Sequence, residues 1–447
     1  MALSAPRLVT PHPGPRTREI IDRLHRAEGR AGLTHGLADV PVVMERAEGS
    51  VIVDPDGNHF LDMVAGFGSL SLGHSHPRIV GAAVEQMQKG QQAMSIAAVT
   101  RTRLVERLAA MLSGDYRVLL ATSGSEAVET ALKVMRRATG RQGVVAFAGG
   151  FHGRTMGALT YMGRLSQRQG LGTLTAGAIH LPYPHAYRSP FGTDPEEVSA
   201  RTLELLDHQL GDPSSGWMEI GAVLIEPVQG NGGMMRAPRG FLSGLREICD
   251  RHGVLLILDE VMSGFHRTGT RFAFEAEPDV EPDILVLGKS LSAGLPLSAA
   301  LFSAGLEEAN PPVTETSTYS GNLVACAMAL EAIDIYEEER LSERATELGE
   351  HVVASLRADI GEHHNVGEIR SAGLMVAVEL VKDRETREPL PVARMLSNEA
   401  MRRGMLLYVA GHYLSVVAFL PPLTASREEL STASGVLRET IETCLPA

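Results

Sequence analysis

The sequence predicts an α/β fold with a mainly parallel sheet covered by helices. Three observations predict it. From Val118 onward, short apolar runs rich in Val, Ile and Leu alternate with helical stretches, the order that builds parallel sheets. Each run is nearly continuously apolar, as in strands covered on both faces. The chain, 447 residues and 44% hydrophobic, is long enough for one large domain with a smaller one, or for two comparable ones.

The strand candidates are Val118–Ala121, Val144–Phe147, Ala222–Ile225, Val254–Leu258, Ile284–Leu287 and Ala299–Phe302, with helices at Ser125–Arg137 and Phe241–His252. After Asn322 the pattern becomes α+β. A helix near Leu323–Glu338 is followed by a second to about Ala358, strands near Val366–Arg370 and Leu374–Leu380, and helices near Val392–Arg403 and Arg427–Cys444. The N-terminal run SVIVDPDGNHFLDM is a hairpin turned at Asp56-Gly57-Asn58. It is expected to pack with the C-terminal block, since neither holds enough apolar residues for its own core. The expected division is residues 1–60 with the small domain, 61–335 as the large domain and 336–447 as the C-terminal small domain.

With 41 Lys+Arg against 54 Asp+Glu, the formal charge is -13, and no basic run exceeds a pair such as Arg136-Arg137. That argues against nucleic acid or an anionic membrane as partner. The N-terminus lacks a signal peptide's apolar core, and no stretch approaches the roughly 20 apolar residues of a membrane span, so a cytoplasmic protein is expected. Cys249, Cys326 and Cys444 are widely spaced and fit neither a disulfide framework nor a metal site.

Lysine-based covalent chemistry has a short candidate list: Lys89, Lys133, Lys289 and Lys382. Lys289 follows the apolar run ILVLG, just past the C-terminal end of a buried strand, where open α/β sheets bind ligands. Lys133 reads as a solvent-facing partner of Glu129 at i, i+4. Asp259 ends the preceding strand run VLLILDE, bringing a carboxylate to the same sheet edge as Lys289. An aldehyde cofactor held by a lysine requires such an acid at its ring nitrogen, and pyridoxal phosphate is the cofactor that demands this pair. The alternative for Asp259-Glu260 is a helix N-cap or an ordinary salt bridge. Thr122-Ser123-Gly124-Ser125 follows a strand and opens a helix, a ready phosphate site, with a plain capping box as the alternative.

Eight segments in order carry a resemblance over about Val43–Leu423: DPDGNHFLDMVAG, LGHSHP, SGSEAVETALK, FAGGFHGRTMGAL, IEPVQGNGG, LDEVMSGFHRTG, LVLGKSLSAGLPLSA and STYSGNLVAC. The chain resembles the class III pyridoxal-phosphate aminotransferases, the ω-aminotransferase subgroup of fold type I. The resemblance implies that Lys289 forms the internal aldimine and Asp259 pairs with the pyridine nitrogen. It implies that Val261 packs on one ring face and Phe151 stacks on the other. Ser123, Gly124 and Ser125 would hold the phosphate, joined by Thr318 from the second subunit of a homodimer. His152, Glu226 and Gln229 would lie near the cofactor.

Departures from the family pattern narrow the expected chemistry. Ala418 stands in SVVAFLPPL where members that bind amino-acid carboxylates commonly carry arginine, and Asn231 replaces a glutamate that pairs with that arginine. Both halves of the charged switch are missing together. Met262 replaces a frequent glutamine, and Ser320 and Leu323 interrupt the usual GGNP. Arg267 and Arg370 are candidate carboxylate binders, with a structural cap or ion pair as the alternative for each. The expected activity is transfer of an amino group from an amine donor to an aldehyde or ketone, at least one substrate lacking an α-carboxylate. The alternative is a racemase, epimerase or aminomutase of the same fold, and a cofactor-binding protein without catalysis is the rival from another class.

Overall fold

The computed structural model describes residues 3–32, 39–94, 96–172 and 174–445. The chain divides into two units, Met1–Pro77 with Glu343–Ala447, and Arg78–Ser342. The sequence reading set the divisions at 60/61 and 335/336. The first observed division falls later because the backbone beyond residue 60 stays tied to the first unit: Leu420 N donates to Met63 O and Leu423 N to Ser71 O. The second falls later because the helix Leu323–Glu338 runs unbroken to its end inside the other unit.

The first unit opens with β1 (Arg46–Glu48), β2 (Val51–Val53) and β3 (His59–Asp62). β2 and β3 form the expected antiparallel hairpin. Its turn is built by Asp54, whose Oδ1 accepts from the N–H groups of Asp56 and Asn58 while Gly57 takes φ +88°.

The second unit holds β4 (Tyr116–Ala121), β5 (Gly143–Phe147), β6 (Ala178–Leu181), β7 (Ile220–Ile225), β8 (Val228–Gln229), β9 (Met235–Arg236), β10 (Leu255–Asp259), β11 (Ile284–Leu287) and β12 (Ser298–Ser303). A seven-stranded sheet has the order β4-β12-β11-β10-β7-β5-β6, and β8 pairs with β9 alone. Neighbours from β11 through β6 are parallel, whereas β12 runs antiparallel to both β11 and β4. The reason is length: residues 288–297 are too few for a crossover helix, so the chain turns back. β6 escaped the sequence reading because AIHL carries a histidine and lies at the sheet edge.

The helix Gly124–Thr139 starts at the Ser123 cap and stops at Gly140 in the left-handed region, φ +68°. Its Ala127, Val128, Ala131, Val134 and Met135 are buried in one core with Val144, Ala222, Ile257 and Val286 of the sheet. Four strands and a helix thus share the core beneath this sheet edge.

The C-terminal part of the first unit contributes β13 (Val366–Ala372), β14 (Met375–Leu380), β15 (Met405–Leu406), β16 (Tyr408–Ala410) and β17 (Val416–Phe419). The order β13-β14-β17-β16 is antiparallel throughout, and β15 pairs parallel with β3, joining the hairpin to this block. The helix Arg427–Cys444 closes the chain, opened by a capping box of Ser426 and Glu429. Among the described residues no helix is long and apolar enough to cross a membrane.

Candidate active site

Strand register carries the acid and the amine to one edge. β7, β10 and β11 are parallel neighbours, with Ile225 opposite Leu258 and Asp259 opposite Val286. Glu226, Asp259 and Lys289 therefore all stand at the C-terminal ends of adjacent strands. Lys289 begins a 3-10 turn, Lys289–Ser292, with φ +45°, a conformation that costs a non-glycine residue about 1–2 kcal/mol. Strain of this kind concentrates where function fixes the backbone.

The amine of Lys289 has no hydrogen-bond or ion-pair partner among the described residues. Burial pushes it down to about 8, against the opposing pull of Glu226 and Asp259, which favour its charged form. Asp259 is 3% exposed and is held by two donors, His152 Nδ1 to Oδ2 at 2.8 Å and Val261 N to Oδ1 at 3.0 Å. Burial alone would lower the His152 pKa, but the hydrogen bond and charge of Asp259, with Glu226, raise it above its ordinary value. Both alternatives given for Asp259 have a counterpart here, an ion pair with His152 and a cap-like bond from Val261 N.

Glu226 is pushed up to about 7, first by burial and then by Asp259, while His152 and two backbone donors pull the other way. Those donors are Phe151 N at 2.8 Å and Gly230 N at 3.1 Å. Gln229 donates from Nε2 to Ala148 O at 3.0 Å, and its Oε1 is buried with no hydrogen-bond partner among the described residues. Phe151 lies in the loop after β5, with the Arg154 guanidinium 5.7 Å from its ring centroid.

The Ser123–Ser125 segment sits at the same edge, at the start of the helix. Ser123 Oγ accepts from Glu126 N at 3.2 Å, its carbonyl accepts from Ser298 Oγ at 2.7 Å, and Ser125 Oγ accepts from Arg154 N at 2.8 Å. Glu126 turns back to Thr122 N at 2.7 Å, one residue short of the cap, so the capping box is only half formed. Val261 bridges the two halves of the site: a Cβ on Gly124 would lie 3.0 Å from Val261 Cγ1, and one on Gly288 3.3 Å from it. Thr318 lies on an exposed loop, its carbonyl accepting from Gln92 Nε2 at 2.5 Å.

One sequence expectation is corrected. Lys133 pairs with Glu315 rather than Glu129, because the Glu129 carboxylate is taken by Thr155 Oγ1 at 2.6 Å and by the N–H groups of Gly157 and Ala158. Arg370 forms ion pairs with Glu368 and with Glu379 at 2.9 Å, the alternative the sequence held open for it. Arg267 is fully buried, and burial lowers it to about 10. Ser298, Glu129 and Arg154 were not anticipated; each contributes through a partner distant in sequence, and no local pattern marks them.

The family description Aminotransferase class-III matches residues 34–441. The chain belongs to the class III aminotransferases. A 5-aminovalerate aminotransferase of Pseudomonas aeruginosa is 36% identical over 419 residues, 92% of this chain and 96% of that one. An alanine/serine racemase of Pyrococcus horikoshii is 31% identical, covering 98% of this chain and 93% of its own. Among solved structures, an amine transaminase from an uncultivated Pseudomonas species with PLP bound is 34% identical. It superposes with a TM-score of 0.85 over 94% of this chain and 98% of that chain. The protein is a pyridoxal-phosphate-dependent class III aminotransferase of fold type I, and its substrates are small amines and carbonyl compounds.

The residues present suit that cofactor on their own chemistry. A lysine amine without a partner, a buried carboxylate backed by histidine, an orphaned amide oxygen and a helix start bearing hydroxyls converge on one edge. In this class III aminotransferase Ala418 is 2% exposed, opposite Ala377 on one side and Tyr408 on the other. Met262 fills the space over Gly230, where a Cβ would lie 1.9 Å from its sulfur.

Proposed function

We propose that this aminotransferase moves an amino group between an amine donor and an aldehyde or ketone, with at least one substrate lacking an α-carboxylate. The observation that carries the reading is the Lys289 amine, unpaired among the described residues, lowered to about 8 and set at the end of β11 beside the β10 end that bears Asp259, with Glu226 one strand further on. Its neutral fraction near pH 8 is large, as a nucleophile requires. When bound, pyridoxal phosphate supplies an aldehyde that condenses with amines and a ring that accepts the electrons of an adjacent carbanion.

The chain's residues do the rest. Lys289 Nζ would hold the cofactor, and its amine is the group placed to carry the proton of the substrate carbon. Asp259 would accept from the ring nitrogen and keep its proton in place, and His152 fixes that carboxylate through Nδ1. Ser123, Gly124 and Ser125 would hold the phosphate at the helix start, Val261 and Phe151 would cover the ring, and Gln229 would lie at its edge. Ala418 and Asn231, which stand where members that bind amino-acid carboxylates carry an arginine and its glutamate partner, supply neither charge, in keeping with a substrate that lacks an α-carboxylate. The ω-amino acid named for the 5-aminovalerate relative is a fitting donor class.

A homodimer in which Thr318 of one protomer completes the partner's phosphate site accords with the exposure of that loop, where Val313 is 80% and Tyr319 68% exposed. A cytoplasmic location accords with the sequence. A second reading, racemisation, is favoured by the likeness to the alanine/serine racemase. Both are separated by following the cofactor's visible band against a panel of donors, with and without a carboxyl group, in deuterated water. Loss of the band with a carboxylate-free amine supports transamination. Deuterium incorporation with inversion and no carbonyl product assigns racemisation, and a band unmoved by every donor removes the proposal.

A further inference from the structure

We infer that Glu226 is a positioning residue that ties together the two segments flanking the cofactor ring, an inference that rests on the roles of Lys289 and Asp259 proposed above. One carboxylate meets two backbone donors from different parts of the chain. Phe151 N, 75 residues upstream, donates to Oε1 at 2.8 Å, and Gly230 N donates to Oε2 at 3.1 Å. The first segment carries the aromatic expected to cover the ring, and the second directly follows Gln229. Gln229 ties the same two segments again through Ala148 O, and the Tyr183 hydroxyl lies 3.0 Å from Pro227 O and 3.2 Å from Met235 O.

Glu226 is 5% exposed, and among the described residues no arginine or lysine pairs with it. A buried carboxylate without a cationic partner is costly, and a packing role would be served by an apolar residue. What the acid provides is two acceptor oxygens at fixed spacing and a negative charge. The titratable groups facing it are His152 from the loop after β5, Tyr183, Asp259 at the end of β10 and Lys289 after β11. Its charge holds the Lys289 amine toward the protonated form, and its oxygens fix the position of the Phe151 backbone.

The test compares wild type, Glu226→Gln and Glu226→Asp as loaded and cofactor-free protein. Gln keeps the size, removes the charge and turns an NH2 toward one of the two backbone donors. Amide hydrogen exchange at Phe151 and Gly230 is expected to accelerate by about tenfold or more, and the cofactor Kd to rise by about tenfold. The pH midpoint of the resting visible band is expected to fall by about one unit, because a negative charge beside the cofactor-linked lysine is gone. A purely structural role would leave that midpoint in place. Asp keeps the charge but is one methylene short, so exchange accelerates while the midpoint holds. If Gln fails to fold, Asp alone decides: unchanged exchange at both amides overturns the inference. Unchanged exchange and midpoint in Gln overturn it as well, with the wild type still coloured. A wild type that takes no colour with pyridoxal phosphate, or a Lys289→Ala variant that keeps it, overturns instead the reading on which the inference rests.

Discussion

Replacing Gly153 with alanine tests how closely the ring-covering loop and the phosphate-holding helix start are packed. Gly153 has φ +127°, and a Cβ there would lie 2.1 Å from Ser125 Oγ, 2.7 Å from Ser125 Cβ and 2.8 Å from Ser125 Cα. The hydroxyl can rotate away, but Cα belongs to the first turn of the helix Gly124–Thr139 and cannot. The disfavoured φ costs about 1–3 kcal/mol. Overpacking adds about 1–3 kcal/mol. Loss of the bond from Arg154 N to Ser125 Oγ adds about 1 kcal/mol. Gly140→Ala is the control: φ is +68° and no atom lies within 4 Å of the new Cβ, so only the conformational cost of about 1 kcal/mol remains. At roughly 2 °C per kcal/mol, Gly153→Ala is expected to melt about 6–14 °C below wild type and Gly140→Ala only about 2 °C below. Thermal unfolding of the cofactor-free protein, with cofactor titration of the folded variant, reads both effects. A Gly153→Ala protein that melts no lower than the Gly140 control, with unchanged cofactor affinity, refutes the packing argument.

Other outcomes follow from the site's charges and packing. Cofactor uptake by the cofactor-free protein needs the neutral Lys289 amine, so its rate should rise with pH and level off above about 8; a pH-independent rate from 6 to 9 would exclude the amine as the nucleophile. Asp259→Asn removes a charge that favours the protonated amine, so the same midpoint should fall below that of wild type, and a rise would contradict the assignment. Glu226 keeps its proton in the fold up to about 7 but loses it near 4.5 when unfolded. Folding therefore binds a proton in that window, and stability from this group falls as pH rises through it, by at most about 1.4 kcal/mol per unit. Denaturation of Glu226→Gln should lack that slope. Ala418→Arg places a charge where the wild-type side chain is 2% exposed and should cost about 3 kcal/mol. A melting temperature equal to that of wild type would contradict the burial.

Much of this protein was legible in residue order because the signals were local. The runs before Ala121, Phe147, Ile225 and Asp259 are strands since continuous apolar residues must be covered on both faces. The start of the helix at Ser123 is a capping chemistry read within four residues. Lys289 was visible because it ends such a run in a chain poor in lysine. What residue order did not determine is which distant groups meet. The antiparallel course of β12, the His152–Asp259 pair, the two N–H donors on Glu226 and the transfer of Lys133 from Glu129 to Glu315 depend on strand register and loop packing. Sequence spacing gives contact information over one helical turn or one strand pairing. Bonds spanning 75 or 107 residues exist only once the sheet has closed and brought its ends together.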